Sequence, residues 1–199
     1  MNLDVNKSLN FVTHLECSKT GKEYPPNEVI GLSDDNAPLL VRYDLDALSQ
    51  SLDKDTLDQR PENLWRYKEF LPIREEINIV SLGESFTPLL HAPNLPGDHV
   101  YIKDEGRLPT GSFKARGLCM AVSMAKELGI NKLAIPTNGN AGAAMAAYAK
   151  RARIEAFVFC PDDTPEINVR EIALQGASTW TVNGLITDCG KIVREGINS

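Results

Sequence analysis

From about residue 99 the chain alternates short apolar runs with longer stretches in which apolar residues recur three or four apart. That pattern predicts strands and helices in turn. Val100–Lys103 reads as a short strand, and Ser112 is placed to cap a helix running to about Leu128 and stopped by Gly129. Leu133–Pro136 is the next strand, followed by a glycine-bearing turn and an alanine-rich helix over Asn140–Arg153. Ala156–Cys160 reads as a strand. Thr164-Pro165-Glu166 then offers a cap, a first-turn proline and a first-turn acid for a helix to Gln175. Ser178–Val182 and Thr187–Gly196 close the series as strand and helix. Four strand–helix units in succession predict an α/β fold, a parallel sheet with flanking helices.

Residues 1–80 lack this regularity. Alternation of Leu39, Val41 and Tyr43 predicts one short strand, and Leu64, Tyr67 and Phe70-Leu71 predict a helix between Pro61 and Pro72. Turn residues crowd Tyr24–Asn27 and Ser33–Pro38. Charge separates the same two regions. The 199 residues carry 21 Lys+Arg and 27 Asp+Glu, and residues 1–80 hold 9 of the former and 15 of the latter, so the net −6 lies wholly there. The division expected is an acidic lead segment, 1–80, and a neutral α/β portion, 81–199.

Such a charge balance repels duplex nucleic acid, and no basic run interleaved with aromatics offsets it. No apolar stretch approaches the roughly 18 residues of a membrane span, and Met1 to Asn10 lacks a signal-peptide layout. A cytoplasmic chain without nucleic-acid or membrane partners is expected. Cys17, Cys119, Cys160 and Cys189 show no CxxC spacing, and His14, His91 and His99 share no ligand spacing, so buried reduced thiols and no metal are expected.

Two loops carry candidate chemistry. Asp104–Lys114 places Lys114 in the first turn of a helix, where the partial positive charge of the helix end disfavours an ammonium. A lysine partly buried there is expected to have a lowered pKa, as Schiff-base chemistry requires; the alternative is a solvated lysine. The second loop, Thr137-Asn138-Gly139-Asn140-Ala141-Gly142, joins a strand to a helix start suited to anionic groups. Asn140 offers an amide that either caps the helix or donates to a ring oxygen. Neither GxGxxG nor a P-loop is present, so nucleotide binding is not expected. If both loops end successive strand–helix units, they emerge on one sheet edge and form one site.

Pro109-Thr110-Gly111-Ser112-Phe113-Lys114-Ala115-Arg116-Gly117, with Asn140 26 positions beyond Lys114, resembles the fold-type II pyridoxal-phosphate enzymes. Within that family, Leu15-Glu16-Cys17, Pro38–Asp44, Leu64–Tyr67, Leu82-Gly83-Glu84 and Thr87-Pro88-Leu89 resemble bacterial threonine synthases in order and spacing. The resemblance implies pyridoxal 5'-phosphate as cofactor and a small-molecule amino-acid phosphate as substrate. The implied reaction takes O-phospho-L-homoserine and water to L-threonine and phosphate. It implies that Lys114 holds the cofactor and shuttles protons, Phe113 packs on its ring, and Asn140 within Gly139-Asn140 meets its phenolic oxygen. Thr87, Ser112, Arg116 and Asn138 are weaker candidates for substrate contact. Turn, cap and ion-pair roles compete for Thr87, Ser112 and Arg116 respectively.

Departures qualify the resemblance. Thr20, Ser33 and Asp35 stand where relatives often carry zinc-binding cysteines, Leu108 where an asparagine usually precedes Pro-Thr-Gly, and Ser85 where glycine is usual. Asn138 replaces a customary Ser or Thr. The family's glycine-rich phosphate loop is not found after Asn140, so the chain is expected to be an amino-terminal portion with weak or no activity alone. The other readings are a different fold-type II lyase, of the dehydratase or cysteine synthase kind, and a non-catalytic fragment that docks a partner. A homodimer or a complementary C-terminal half are the expected protein partners.

Overall fold

The computed structural model describes residues 10–97 and 99–197, which fall into two compact units dividing between Ile79 and Val80. In the first unit, β1 (Val12–Cys17), β2 (Glu23–Tyr24) and β3 (Leu39–Tyr43) form an antiparallel sheet in the order β2-β1-β3. Leu15 pairs with Tyr24 on one side and Val41 on the other. The expectation of a single strand is corrected. In β1 the apolar Val12 and Leu15 are three apart, and β2 is two residues long, so neither displays the period of two that betrays β3.

Asp44 caps α1 (Leu45–Ser51), its Oδ1 accepting from the Ala47 amide at 2.8 Å, and Asp53 caps the single turn α2 (Lys54–Leu57). The helix expected before Pro72 is instead a 3₁₀ segment, Leu64–Phe70, broken at Tyr67 (φ −105°, ψ 30°). Tyr67 leaves helical geometry in the middle of the segment, so the stretch forms short 3₁₀ turns on either side of it instead of one α-helix. Cys17, Ala37, Leu48, Trp65 and Ile73 are buried in this unit.

In the second unit, β4 (Leu89–His91) and β5 (Tyr101–Lys103) form an antiparallel ribbon with Leu90 opposite Ile102. The strand expected at Val100–Lys103 therefore exists but does not join the parallel sheet. A nearby strand reached by a short connection pairs antiparallel, whereas parallel pairing needs a crossover. The parallel sheet has three strands, β6 (Lys132–Pro136), β7 (Glu155–Pro161) and β8 (Ser178–Val182), in the order β6-β7-β8. Ile135 lies opposite Val158, and Phe159 opposite Trp180.

Four helices accompany this sheet: α3 (Lys114–Glu127), α4 (Asn140–Ala152), α5 (Glu166–Leu174) and α6 (Ile186–Gly196). α4 is the centre of the unit. Every residue from Gly142 to Ala149 is buried, as expected of a helix apolar all round. The predicted spans are met closely, but Thr164 does not cap α5, and its buried hydroxyl has no hydrogen-bond partner in the described residues. Pro165 takes the cap position instead. α6 begins one residue early, where the Leu185 amide donates to Asp188 Oδ2 at 3.0 Å. All four cysteines are buried free thiols. No described helix is long and apolar enough to cross a membrane.

Candidate functional site

Helices lie on both faces of the parallel sheet: α4 and α5 pack on the Val158 face, while α6 lies across the face carrying Phe157 and Phe159 and contacts β6 and β7. In open α/β sheets ligands bind beyond the carboxyl ends of the strands. For β6 that end is Pro136, and the next residues are the loop 137–140.

A hollow of about 390 Å³ opens at this point, lined by Lys114, Asn138, Gly139 and Asn140 together with Thr137, Asn168 and Ile186. Lys114 and Asn140, each the first residue of its helix, thus meet in one place. The route differs from the expected shared sheet edge. β5 belongs to the ribbon, and Lys114 arrives because α3 packs against α4.

Each helix start has a local cause. The Ser112 hydroxyl is buried and accepts from the Lys114 amide at 3.2 Å, a local turn bond that leads the chain into α3, whose cap position is Phe113 and not the expected Ser112. Lys114 is half-buried, with Nζ 4.6 Å from the centroid of the exposed Phe113 ring. Phe113 does not line the hollow; it holds the amine from one side by a cation–π contact. In the second loop, Thr137 Oγ1 accepts from the amides of Gly139 (3.1 Å) and Gly142 (3.3 Å), bending the strand end into α4. Gly139 has φ +147° and ψ −98°, a conformation essentially reserved for glycine, and a Cβ there would stand 2.6 Å from Asn168 Nδ2. Asn168 Nδ2 also donates to the Asn138 carbonyl at 3.3 Å, so α5 braces this loop.

The remaining candidates lie apart from the hollow. Thr87 is buried and donates to Glu105 Oε1. Arg116 pairs bidentately with Glu105, at 2.6 Å from Nε and 2.9 Å from Nη2. These bonds hold the Glu105 carboxyl at about 2, the Arg116 hydrogen bonds being the main cause. Another carboxylate, Glu84, is fully buried and accepts from Tyr148 Oη, from Ser81 Oγ at 2.7 Å and from the Leu82 amide at 2.8 Å. Burial and the adjacent Glu84 carboxylate push the Tyr148 phenol up.

Sequence reasoning missed Thr137, Asn168, Ile186 and Glu105. Thr137 had a signal, a hydroxyl between a strand and a glycine turn. Asn168 and Ile186 come from the first turns of α5 and α6, far along the chain, and carry none.

A profile of the family described as "Pyridoxal-phosphate dependent enzyme" matches residues 80–199. The threonine synthase of Methanocaldococcus jannaschii is 33% identical over 184 residues, which cover 90% of this chain and 45% of that protein. The threonine synthase of Methanosarcina acetivorans is 34% identical over 187 residues (91% and 45%). The Halalkalibacterium halodurans threonine synthase is 40% identical over 135 residues (66% and 38%). The chain spans less than half the length of these relatives. Among solved structures, O-ureido-L-serine synthase superposes with TM-score 0.53 at 22% identity, covering 56% of this chain and 38% of that one. Diaminopropionate ammonia lyase from Escherichia coli gives 0.55 at 18% identity (61% and 38%). At these identities the two structures speak to the fold alone, and that fold is the fold-type II architecture. With a lysine and an asparagine delivered by two helix starts to one crevice, the chain belongs to the family of pyridoxal-phosphate dependent enzymes.

Proposed function

We propose that this chain carries the lysine-bearing part of a threonine synthase-type site, which converts O-phospho-L-homoserine and water to L-threonine and phosphate. The observation that carries the reading is that Lys114 and Asn140 line one hollow beyond the carboxyl end of β6. The identity to threonine synthases over nine-tenths of the chain supports the choice of substrate.

The donor set suits an aldehyde cofactor with a phenolic oxygen. It offers one primary amine and one carboxamide in the same hollow, beside a helix start that favours anionic groups. When bound, pyridoxal phosphate supplies an electron sink that stabilises negative charge on substrate carbon. Lys114 Nζ would hold the aldehyde carbon and, once released by substrate, carry protons between substrate carbons. Asn140 would donate to the phenolic oxygen and set the ring plane. Gly139 lets the backbone turn at the floor of the hollow, and Thr137 and Asn168 keep that turn from relaxing.

Incubation of the 199-residue chain with pyridoxal phosphate, borohydride reduction and peptide mass mapping tests the reading. Reduced cofactor is expected on Lys114 well above exposed lysines such as Lys54, and O-phospho-L-homoserine is expected to protect Lys114 where L-serine and L-threonine do not. Equal labelling of Lys114 and Lys54 would refute the cofactor site; equal protection by all three amino acids would refute the substrate.

A further inference from the structure

The segment between β5 and α3 contains a conformation that should not persist unaided. Thr110, a β-branched residue, sits in the left-handed region at φ +62° and ψ 19°, and its buried hydroxyl has no hydrogen-bond partner in the described residues. Both features cost free energy, and such strain survives only where the surroundings over-determine it. The flanks of Thr110 supply that constraint. On one side Glu105 lies in a 3₁₀ turn after β5; on the other Arg116 lies in the first turn of α3. Glu105 accepts Nε and Nη2 of Arg116 in the planar two-bond geometry that makes Arg–carboxylate pairs directional. It also accepts the hydroxyl of buried Thr87, while Lys103 Nζ donates to the Thr87 carbonyl. The pair is largely shielded, with side-chain exposures of 30% for Arg116 and 24% for Glu105. Its members are eleven residues apart, and Lys114 lies within the loop they close.

We propose that Glu105 is the positioning residue for Lys114: by holding Arg116 and Thr87 it closes segment 105–116 on itself and fixes the first turn of α3, so that the amine stands in the hollow. Arg116, with its fork occupied by Glu105, then serves as the other half of this latch instead of meeting substrate. The carboxyl, held at about 2, stays ionised across the neutral range, so the latch does not open as pH changes there. The role given to Lys114 rests on the proposed function; the closure of the segment does not.

The test uses the full chain and two readouts. Without cofactor, hydrogen exchange of the peptide covering residues 108–118 is expected to accelerate at least severalfold in Glu105→Gln, and to stay close to wild type in Glu105→Asp, which keeps the charge. With cofactor and borohydride, the labelling ratio of Lys114 to Lys54 is expected to fall about tenfold or more in Glu105→Gln, since displacement of a reacting group by about 1 Å can cost up to a hundredfold. Glu105→Asp should recover most of the ratio, which loss of folding would not explain. If Glu105→Gln does not fold, Arg116→Lys asks the same question, because it keeps the charge but loses the fork. Unchanged exchange in a folded Glu105→Gln or Arg116→Lys chain overturns the latch whatever the labelling shows. Faster exchange with an undiminished labelling ratio overturns the positioning of Lys114. Absence of Lys114 preference in the wild type counts against the cofactor site, and exchange still decides the latch.

Discussion

The same substitution, Gly→Ala, should change stability in opposite directions in α3 and α4. Alanine is the better helix former by about 1 kcal/mol, so an exposed helical glycine with room for a methyl gains on replacement. Gly117 is such a residue: it is exposed, and a Cβ there would meet nothing within 4 Å. Gly142 is buried, and its Cβ would stand 2.5 Å from Thr137 Cγ2, 3.0 Å from Ile172 Cδ1 and 3.1 Å from Val158 Cγ1. Carbon atoms rest near 3.5–4.0 Å, so one neighbour must retreat by about 1 Å. Thr137 cannot rotate freely, because its hydroxyl holds the amides of Gly139 and Gly142, bonds worth about 1 kcal/mol each. Moving the helix instead overpacks the core at about 1–3 kcal/mol. After the propensity gain of up to about 1 kcal/mol, Gly142→Ala should lose about 1–2 kcal/mol, and Gly117→Ala should gain about 0.5–1. Urea unfolding followed by far-UV circular dichroism reads this, since α3 to α6 all lie in the second unit. With a slope of about 1–3 kcal/mol per molar, the two midpoints should separate by about 1 M at unchanged slope. A Gly142→Ala chain as stable as Gly117→Ala would show that α4 does not sit this close to Thr137, β7 and α5, and the reasoning would fail.

Tyr148→Phe removes one of the donors to buried Glu84, and a loss of about 1–3 kcal/mol is expected in the same urea experiment. Gly139→Ala should cost at least about 1–3 kcal/mol, because it forces an alanine to φ +147° and against Asn168; the labelling of Lys114 should fall with it. Glu105 gives a pH signature: its carboxyl is lowered from 4.5 to about 2, so its stabilisation is complete above about 4.5 and disappears as pH falls toward 2. The advantage of wild type over Glu105→Gln in urea should therefore be constant from pH 7 to about 5 and shrink below it.

The second unit was largely legible because its signals are local. β8 and the alanine-rich α4 announce themselves through composition and the residues at their ends, and the structure follows them within a residue or two. What failed was partner choice. Nothing in Tyr101–Lys103 tells whether Ile102 will face Leu90 or a parallel neighbour, because pairing is decided by connection length and competing strands. The Thr164 cap failed for a related reason: the residue types allow the bond, but the chain turns at Pro165 without using it. In the first unit, two of the three described strands were invisible: β1 has no apolar alternation, Val12 and Leu15 being three apart, and β2 is only two residues long.

The candidate site shows the same division. Lys114 and Asn140 are readable one at a time as helix-start residues, yet their meeting depends on how closely α3 approaches α4. Ala143, Ala144, Ala146, Ala147 and Ala149 are buried along α4, and Ala115, Cys119 and Val122 are buried on α3. Small side chains on a helix surface let the facing backbone come near, so the alanine run sets the interaxial distance and, through it, the gap across the hollow. These alanines thus shape the hollow without lining it. Two large residues interrupt them, Met145 and Tyr148, and Tyr148 points its hydroxyl at Glu84. That bond ties α4 to the 81–84 segment near the amino end of the unit, while Arg116 ties α3 to Glu105. Each of the two helices that deliver a site residue is therefore anchored by a carboxylate on a preceding segment. Neither carboxylate lies among the residues that line the hollow, which is why a search for site chemistry passes over them.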